Sequence, residues 1–357
     1  MKSASIARPE ILTLKPYQAG QQVPGTIRLN ANEAPVAAWK DGDPQSLNRY
    51  PEARPFTIQQ RLAAMFGVSV ANLLVTRGSS EAIDVLIRAF CCAYKDAIVT
   101  TPPTFEMYRV YADIQGVGMV DAPLDAGNGF RLDPQRILDA CSSTTKLVFL
   151  CTPNNPTGGL IDTADIMTIA RARQGKSLVV VDEAYIEFSG QTSLCQRIDE
   201  VDNLVVLRTL SKAHALAGAR CGAAVANEEI VNVLGRVLPP YTFPTPVVEC
   251  VLQALEHGRA ERSAAAIADI IAERERLHEA LEAETCVETI WPSQANFMLV
   301  RFRDLAAVQN FLREERILIR DFSSYPALKN CARITVGTAA ENDALLAALR
   351  CFGEQQS

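Results

Sequence analysis

The sequence predicts an α/β protein: a large domain on a mostly parallel sheet flanked by helices, then a smaller α/β domain. Three observations carry that reading. Between residues 72 and 227, short and continuously apolar runs alternate with segments of helical period. Prolines then occupy four of the eight positions 239–246, which argues against regular structure there. Beyond them the pattern changes to a long Ala- and Glu-rich helical stretch and then to shorter mixed elements.

Proline-rich stretches around Pro35 and Pro51 make the N-terminal region an extended arm. Leu73-Leu74-Val75 follows, then Ser79-Ser80-Glu81, then Ala82, Val85, Leu86, Ala89 and Phe90 at helical spacing. That is strand, turn and amphipathic helix. The runs at 97–99, 147–150, 178–181, 204–207 and 223–226 extend the series. Continuous apolarity suits strands buried on both faces, and the repeated unit argues for a parallel layer. In the last third, residues 262–284 read as a core-packing helix, 296–302 as a strand and 305–315 as a helix. Strands at 317–319 and 333–336 and a helix from Glu341 complete it. The expected limits are 1–40 for an arm that also joins the small domain, 41–245 for the large domain and 246–357 for the smaller one.

Composition excludes several classes. Basic residues number 35 and acidic 41, a net charge of −6, with no basic run longer than two. Polyanion binders of the nucleic-acid type concentrate Lys and Arg instead. No apolar stretch approaches the roughly 18 residues of a membrane span, and the N-terminus lacks the apolar core of a secretion signal. The ten cysteines form no CxxC pair, and only His214, His257 and His278 could join them at a metal. The expectation is a cytoplasmic protein with reduced core thiols, no disulfide and no metal.

In a parallel sheet, ligands bind beyond the carboxyl ends of the strands. The segments there are Thr76-Arg77-Gly78-Ser79-Ser80, Thr100-Thr101-Pro102-Pro103-Thr104-Phe105, Thr152-Pro153-Asn154-Asn155-Pro156-Thr157-Gly158, Asp182-Glu183-Ala184-Tyr185 and Arg208-Thr209-Leu210-Ser211-Lys212. They gather hydroxyls at a helix N-terminus, an aromatic, an amide, a carboxylate, a phenol and an amine. Pyridoxal 5′-phosphate requires such groups: a lysine for the imine, a carboxylate for the pyridine nitrogen, donors for the ring oxygen and a helix N-terminus for the phosphate. Each alone has a plainer reading. Asp182 and Ser79-Ser80 could cap helices, Pro153 to Pro156 could be only a turn, and Lys212 could be a solvated lysine. Their joint placement on neighbouring strand ends favours the chemical reading. His214 is assigned a structural role, on the argument that helical phase turns it away from Lys212.

PNNPTG (153–158), DEAY (182–185), Ser211-Lys212 and GARCG (218–222) resemble the fold-type I aminotransferases over nearly the whole chain. LNANE (29–33), NRYPE (48–52), RTLSKAHALAGARCG (208–222) and RITVGT (333–338) resemble, within them, the histidinol-phosphate aminotransferase family. The resemblance implies a seven-stranded, mostly parallel large-domain sheet. It implies that Lys212 carries the cofactor and moves the proton, Asp182 pairs with the pyridinium, and Tyr185 and Asn155 bond the ring oxygen. Phe105 would stack on the ring, where close relatives can carry Tyr, and Ser79, Ser80, Ser211 and Arg220 would hold the phosphate. Tyr50 would reach the cofactor of a second subunit, implying a homodimer with shared sites. Arg333, Arg320, Tyr17 and Asn155 would meet the substrate. Ala219 stands where the related motif often has Leu, a packing change.

The activity so implied is transamination of L-histidinol phosphate with 2-oxoglutarate, by a ping-pong cycle through pyridoxamine phosphate, in histidine biosynthesis. A threonine-phosphate decarboxylase or an aromatic amino acid aminotransferase could use the same cofactor residues. A cofactor-sensing transcription regulator would need a DNA-binding module, and no basic helical segment precedes Tyr17.

Overall fold

Continuous apolar runs become strands with both faces covered. The computed structural model describes residues 2–23, 25–36, 47–256 and 259–356. The expected boundary at 40/41 and His257 lie outside them. The large domain comprises α1 (Pro9–Thr13), α2 (Phe56–Phe66), β1 (Leu73–Thr76), α3 (Gly78–Phe90), β2 (Ala97–Thr100), α4 (Met107–Gln115), β3 (Gly118–Asp121), α5 (Pro134–Ala140), β4 (Thr145–Cys151), α6 (Thr163–Arg173), β5 (Leu178–Asp182), β6 (Leu204–Thr209), β7 (Gly222–Ala226), α7 (Glu228–Val237) and α8 (Thr245–Ala254). Its seven strands run in the order β1-β7-β6-β5-β4-β2-β3. Neighbours from β6 to β3 are parallel. Only β7 is antiparallel to its neighbours, β6 and β1. The short β6–β7 connection holds no crossover helix, so the chain returns in the opposite direction.

Side chains alternate between the two faces with period two. Leu147, Phe149, Leu178, Val180, Val205 and Leu207 pack beneath α3, α4 and α7. Val148, Leu150, Val179, Val181, Leu204 and Val206 pack with α2, α6 and α8. Strand β3 was missed in the sequence because it is an edge: Gly118-Met119-Val120-Asp121 is only partly covered and shows no apolar run.

Two expectations about the large domain change. Ala4 and Ala7 bury against the α3/α7 layer, with Ile6 and Ile11 partly buried beside them. The Arg8 N–H donates to the Ala89 carbonyl at 3.0 Å. The start of the chain therefore docks on the large domain rather than the small one. Nor do the prolines prevent α8. Pro246 occupies its first turn, where the missing N–H is not needed, and Val251 anchors the helix in the large core. The large layer thus extends past residue 245.

The small domain holds α9 (Arg259–Glu282), β8 (Val287–Ile290), β9 (Phe297–Phe302), α10 (Leu305–Glu314), β10 (Arg320–Asp321), β11 (Cys331–Thr335) and α11 (Ala339–Gln356). Its antiparallel sheet runs β10-β11-β9-β8. Leu277, Leu281, Met298, Val300, Phe302 and Leu349 form its core. The strand expected at 317–319 is displaced to Arg320–Asp321. The Ile317 N–H closes the end of α10 on the Leu312 carbonyl at 2.7 Å, and Ile317 and Ile319 pack, partly buried, against the core instead.

Candidate active site

Register places the carboxyl ends of the central strands side by side. Asp182 at the end of β5 lies opposite Cys151 on β4 and Leu207 on β6. Asn155, Tyr185 and Lys212 lie a few residues past their strand ends, on adjoining turns. Glycine closes the arrangement from the side. A Cβ on Gly222 would sit 2.6 Å from the Arg208 carbonyl oxygen and 2.9 Å from the Gly78 carbonyl carbon. Only glycine lets β7 start that close, and the approach delivers Arg220 to the start of α3. Gly78 itself has φ +74°, and a Cβ there would lie 2.8 Å from Arg220 Nη2.

The result is a cavity of about 150 Å³ lined by Ser79, Ser80, Phe105, Asn155, Asp182, Tyr185, Ser211, Lys212 and Arg220, together with Cys151, Ala184, Thr209 and Ala217. Ser79 and Ser80 stand in the first turn of α3, whose N-terminus has no side-chain cap. Arg220 Nη1 donates to Ser211 Oγ at 3.2 Å. Positive charge, hydroxyls and a helix N-terminus thus converge at one end, a setting suited to phosphate.

Asp182 lies at the other end and is 2 % exposed. Burial pushes its carboxyl up to about 6, while hydrogen bonds from Tyr108 Oη (2.9 Å) and the Ala184 N–H (3.2 Å) and the Lys212 charge pull it down. Burial, then Arg333 and Arg220, lower the Lys212 amine, and Asp182 opposes them. Lys212 Nζ stands 5.4 Å from the centre of the Tyr185 ring. Burial raises the Tyr185 phenol, with Arg333 acting against it.

Arg333 arrives from the small domain. It projects from β11 between the Phe297 and Phe322 rings, and its Nη1 donates to Asn155 Oδ1 at 2.6 Å. Arg320 faces it in register on β10. Burial first, then Arg320, lower the Arg333 guanidinium. Among the described residues neither arginine has a carboxylate within 4 Å. Two adjacent unpaired guanidiniums present a fork suited to an anion.

Tyr17 and Tyr50 are not brought into this cavity. They are 69 % and 51 % exposed. The Tyr50 ring packs on Tyr241 with centroids 4.8 Å apart, and its N–H donates to Glu33 at 2.8 Å.

Sequence reasoning missed Tyr108, the fully buried donor to Asp182. Its signal was the spacing: it stands in the first turn of α4, three residues after Phe105, and the two rings meet edge to face at 5.6 Å. It also missed a buried ion cluster behind the site. Arg208 Nη2 donates to Glu187 at 2.6 Å and lies 3.7 Å from Glu183, while His214 Nε2 lies 3.5 Å from Glu187. Burial raises the Glu183 carboxyl; His214 and Arg208 hold Glu187 low against its burial. His214 therefore packs among structural charges. Helical phase does not govern His214, because its segment is a turn with Ala215 at φ +55°.

Known proteins share this framework. The family model for aminotransferase class I and II matches residues 18–349. A histidinol-phosphate aminotransferase from Shigella flexneri serotype 5b is 44 % identical over 347 residues, 97 % of each chain. The chain belongs to the class I and II aminotransferases. Among solved structures, a putative histidinol-phosphate aminotransferase from Erwinia carotovora atroseptica superposes on this aminotransferase with TM-score 0.77 at 26 % identity, covering 87 % of this chain and 89 % of that one. An L-threonine-O-3-phosphate decarboxylase from Porphyromonas gingivalis gives 0.73 at 25 %, covering 88 % and 97 %. The aminotransferase cofactor is pyridoxal 5′-phosphate, and the residues present fit it: a buried carboxylate, a lysine with a lowered pKa and a basic, hydroxyl-lined helix N-terminus face one cavity.

Proposed function

We propose that this aminotransferase moves the amino group of L-histidinol phosphate to 2-oxoglutarate, giving 3-(imidazol-4-yl)-2-oxopropyl phosphate and L-glutamate in histidine biosynthesis. One observation carries the reading: the Arg320–Arg333 pair, free of carboxylates among the described residues, stands beside the Lys212–Asp182 cavity. Histidinol phosphate offers a phosphomonoester where an amino acid offers a carboxylate, and a guanidinium fork accepts either anion. Both amino donor and amino acceptor can therefore use the same pair in turn. The 44 % identity to the Shigella flexneri enzyme supports this substrate.

Bound pyridoxal 5′-phosphate supplies an electron-accepting ring and a carbonyl carbon. Lys212 holds it, and its Nζ takes a proton from the amine-bearing carbon of the substrate, a task favoured by the lowered pKa. Asp182 is ionised above pH about 6 and so can keep the ring nitrogen protonated. Tyr185 and Asn155 bind the ring oxygen, and Phe105 covers a ring face. Ser79, Ser80, Ser211 and Arg220 hold the cofactor phosphate. Asn155, Arg333 and Arg320 orient the substrate, and Tyr17 covers it.

We further read the chain as a cytoplasmic homodimer with shared sites, Tyr50 serving the cofactor phosphate of the partner. The arm supports the dimer. Ile27 and Leu29 are 88 % and 91 % exposed, more apolar surface than a solvated strap needs. Ten free thiols suit a reducing compartment.

The test supplies purified holoenzyme with histidinol phosphate and 2-oxoglutarate and measures glutamate. Stoichiometric glutamate without release of carbon dioxide is expected. Carbon dioxide from threonine phosphate would instead assign the lyase reaction, and faster turnover of phenylalanine or tyrosine would assign an aromatic amino acid aminotransferase.

A further inference from the structure

A second cavity, of about 800 Å³, opens among the loops that enter the strands, at the opposite end of the sheet from Asp182. Its walls are the turns before β2, β4 and β5 and the docked segment around Arg8. In a chain of net charge −6, they bring together Arg8, Lys95, Lys146, Arg173 and Lys176 against one lining carboxylate, Asp96. That carboxylate is buried and accepts the Cys92 N–H at 2.8 Å.

The cations are left open to a ligand. Among the described residues Lys95, Lys146 and Lys176 make no ion pair and no side-chain hydrogen bond. Arg173, 9 % exposed, is fixed in direction by Ser177 Oγ and the Ser142 carbonyl but meets no carboxylate. Arg8 Nη1 donates to the Arg88 carbonyl at 3.0 Å, while its buried Nε has no hydrogen-bond partner and lies 3.8 Å from Glu10 at the rim. Like charges gathered in a concave site repel one another and raise the local potential for anions. Surfaces without such a role intersperse the two signs.

We propose that this groove binds a compact phosphate-class polyanion, at a site separate from the cofactor cavity. The volume lies within the roughly 300–1,000 Å³ of small-molecule sites. Lysine ammoniums and an arginine fork are the groups that meet phosphate oxygens. Its lining offers one aromatic ring, the fully buried Phe90, and so no exposed platform for stacking bases, which separates this site from a nucleic-acid channel.

The experiment titrates inorganic pyrophosphate by calorimetry into enzyme saturated with pyridoxal 5′-phosphate, so that the cofactor phosphate site is filled. A saturable event that persists when the Arg320–Arg333 fork is removed is expected, weakening as salt rises above about 0.15 M. Combining Lys95→Ser, Lys146→Ser and Lys176→Ser should reduce the affinity at least about tenfold, leaving basal transamination unchanged. Lys176→Glu, an exposed reversal, gives the same direction should the triple variant melt early. Arg320→Ala with Arg333→Ala should leave pyrophosphate binding intact. Absence of saturable binding, equal affinity in the lysine variants, or loss of binding in the arginine variant would each overturn the proposal.

Discussion

The strand-end cavity and the N-terminal arm are opposite kinds of structure. At the strand ends, Asp182, Asn155 and Tyr185 are each under 10 % exposed and held by neighbours from several strands. In the arm, Tyr17, Ile27, Leu29 and Tyr50 stand half or more in solvent, tied down by few contacts such as Glu33 with Arg49. The first region assembles its own lining within one chain. The second carries exposed apolar groups proposed to meet a second subunit, and in Tyr50 a group whose proposed use lies on that other chain. A residue's burial in the single chain therefore separates what this subunit does alone from what it does in company.

Substitutions in the two regions should behave accordingly. Lys212→Ala should remove turnover by at least about 10²–10⁴-fold, the worth of a positioned acid–base group, while cofactor still binds without a covalent link. Near-wild-type rates in that variant would end the assignment of Lys212. Asp182→Asn should cost roughly 3–4 kcal/mol of activation free energy.

The same variant gives a pH test without cofactor. Asp182 titrates at about 6 in the fold against an ordinary 3.8, so between those values the folded chain holds more of its proton than the unfolded chain. The resulting penalty is absent below pH about 4 and full above about 6. Cofactor-free Asp182→Asn should thus be up to about 2–3 kcal/mol more stable than wild type at pH 7.5, the gap closing toward pH 4. Denaturant melts that show no pH-dependent gap would contradict the buried-carboxylate account.

Tyr108→Phe deletes one donor to that carboxylate and should slow turnover by about 1.5–3 kcal/mol, with the Asp182 titration moving upward. Smallest of all, Tyr50→Phe should weaken cofactor retention by about 0.5–3 kcal/mol. The sharper form of that test mixes inactive Lys212→Ala with a Tyr50→Ala protein that has lost its cofactor retention. Recovered activity would come from the one heterodimer site with both intact sets. Subunits that exchange without recovery would erase the distinction between the two regions.

The sequence revealed the first region more fully than the second. Strands β4 to β6 are flanked on both sides, so their apolar runs are unbroken, and Asp182 at the end of one run with Asn155 and Lys212 a few residues past the others marks the cavity. Strand β3 has a free edge and one Gly in four residues, which removes that signal. Residues 317–319 have strand-like composition but serve a helix end, because side-chain burial and backbone pairing are separate demands met there by different residues. Tyr108 and the Arg208–Glu187 pair were hidden for another reason. Each depends on a partner at least 21 positions away, and no local pattern encodes such a distance.

The hydrogen bond from Arg333 to Asn155 has a consequence for ligand entry. An arriving anion does not find a bare guanidinium; it finds one already engaged by an amide oxygen at 2.6 Å. Where the anion takes over that N–H, occupation becomes an exchange of acceptors, and its net gain is a difference between two bonds rather than a new one. The displaced amide oxygen is then the lever. Asn155 lies in the large domain's turn after β4 and Arg333 lies in the small domain's β11, so the swap unties one link between the two bodies at the moment the ligand arrives.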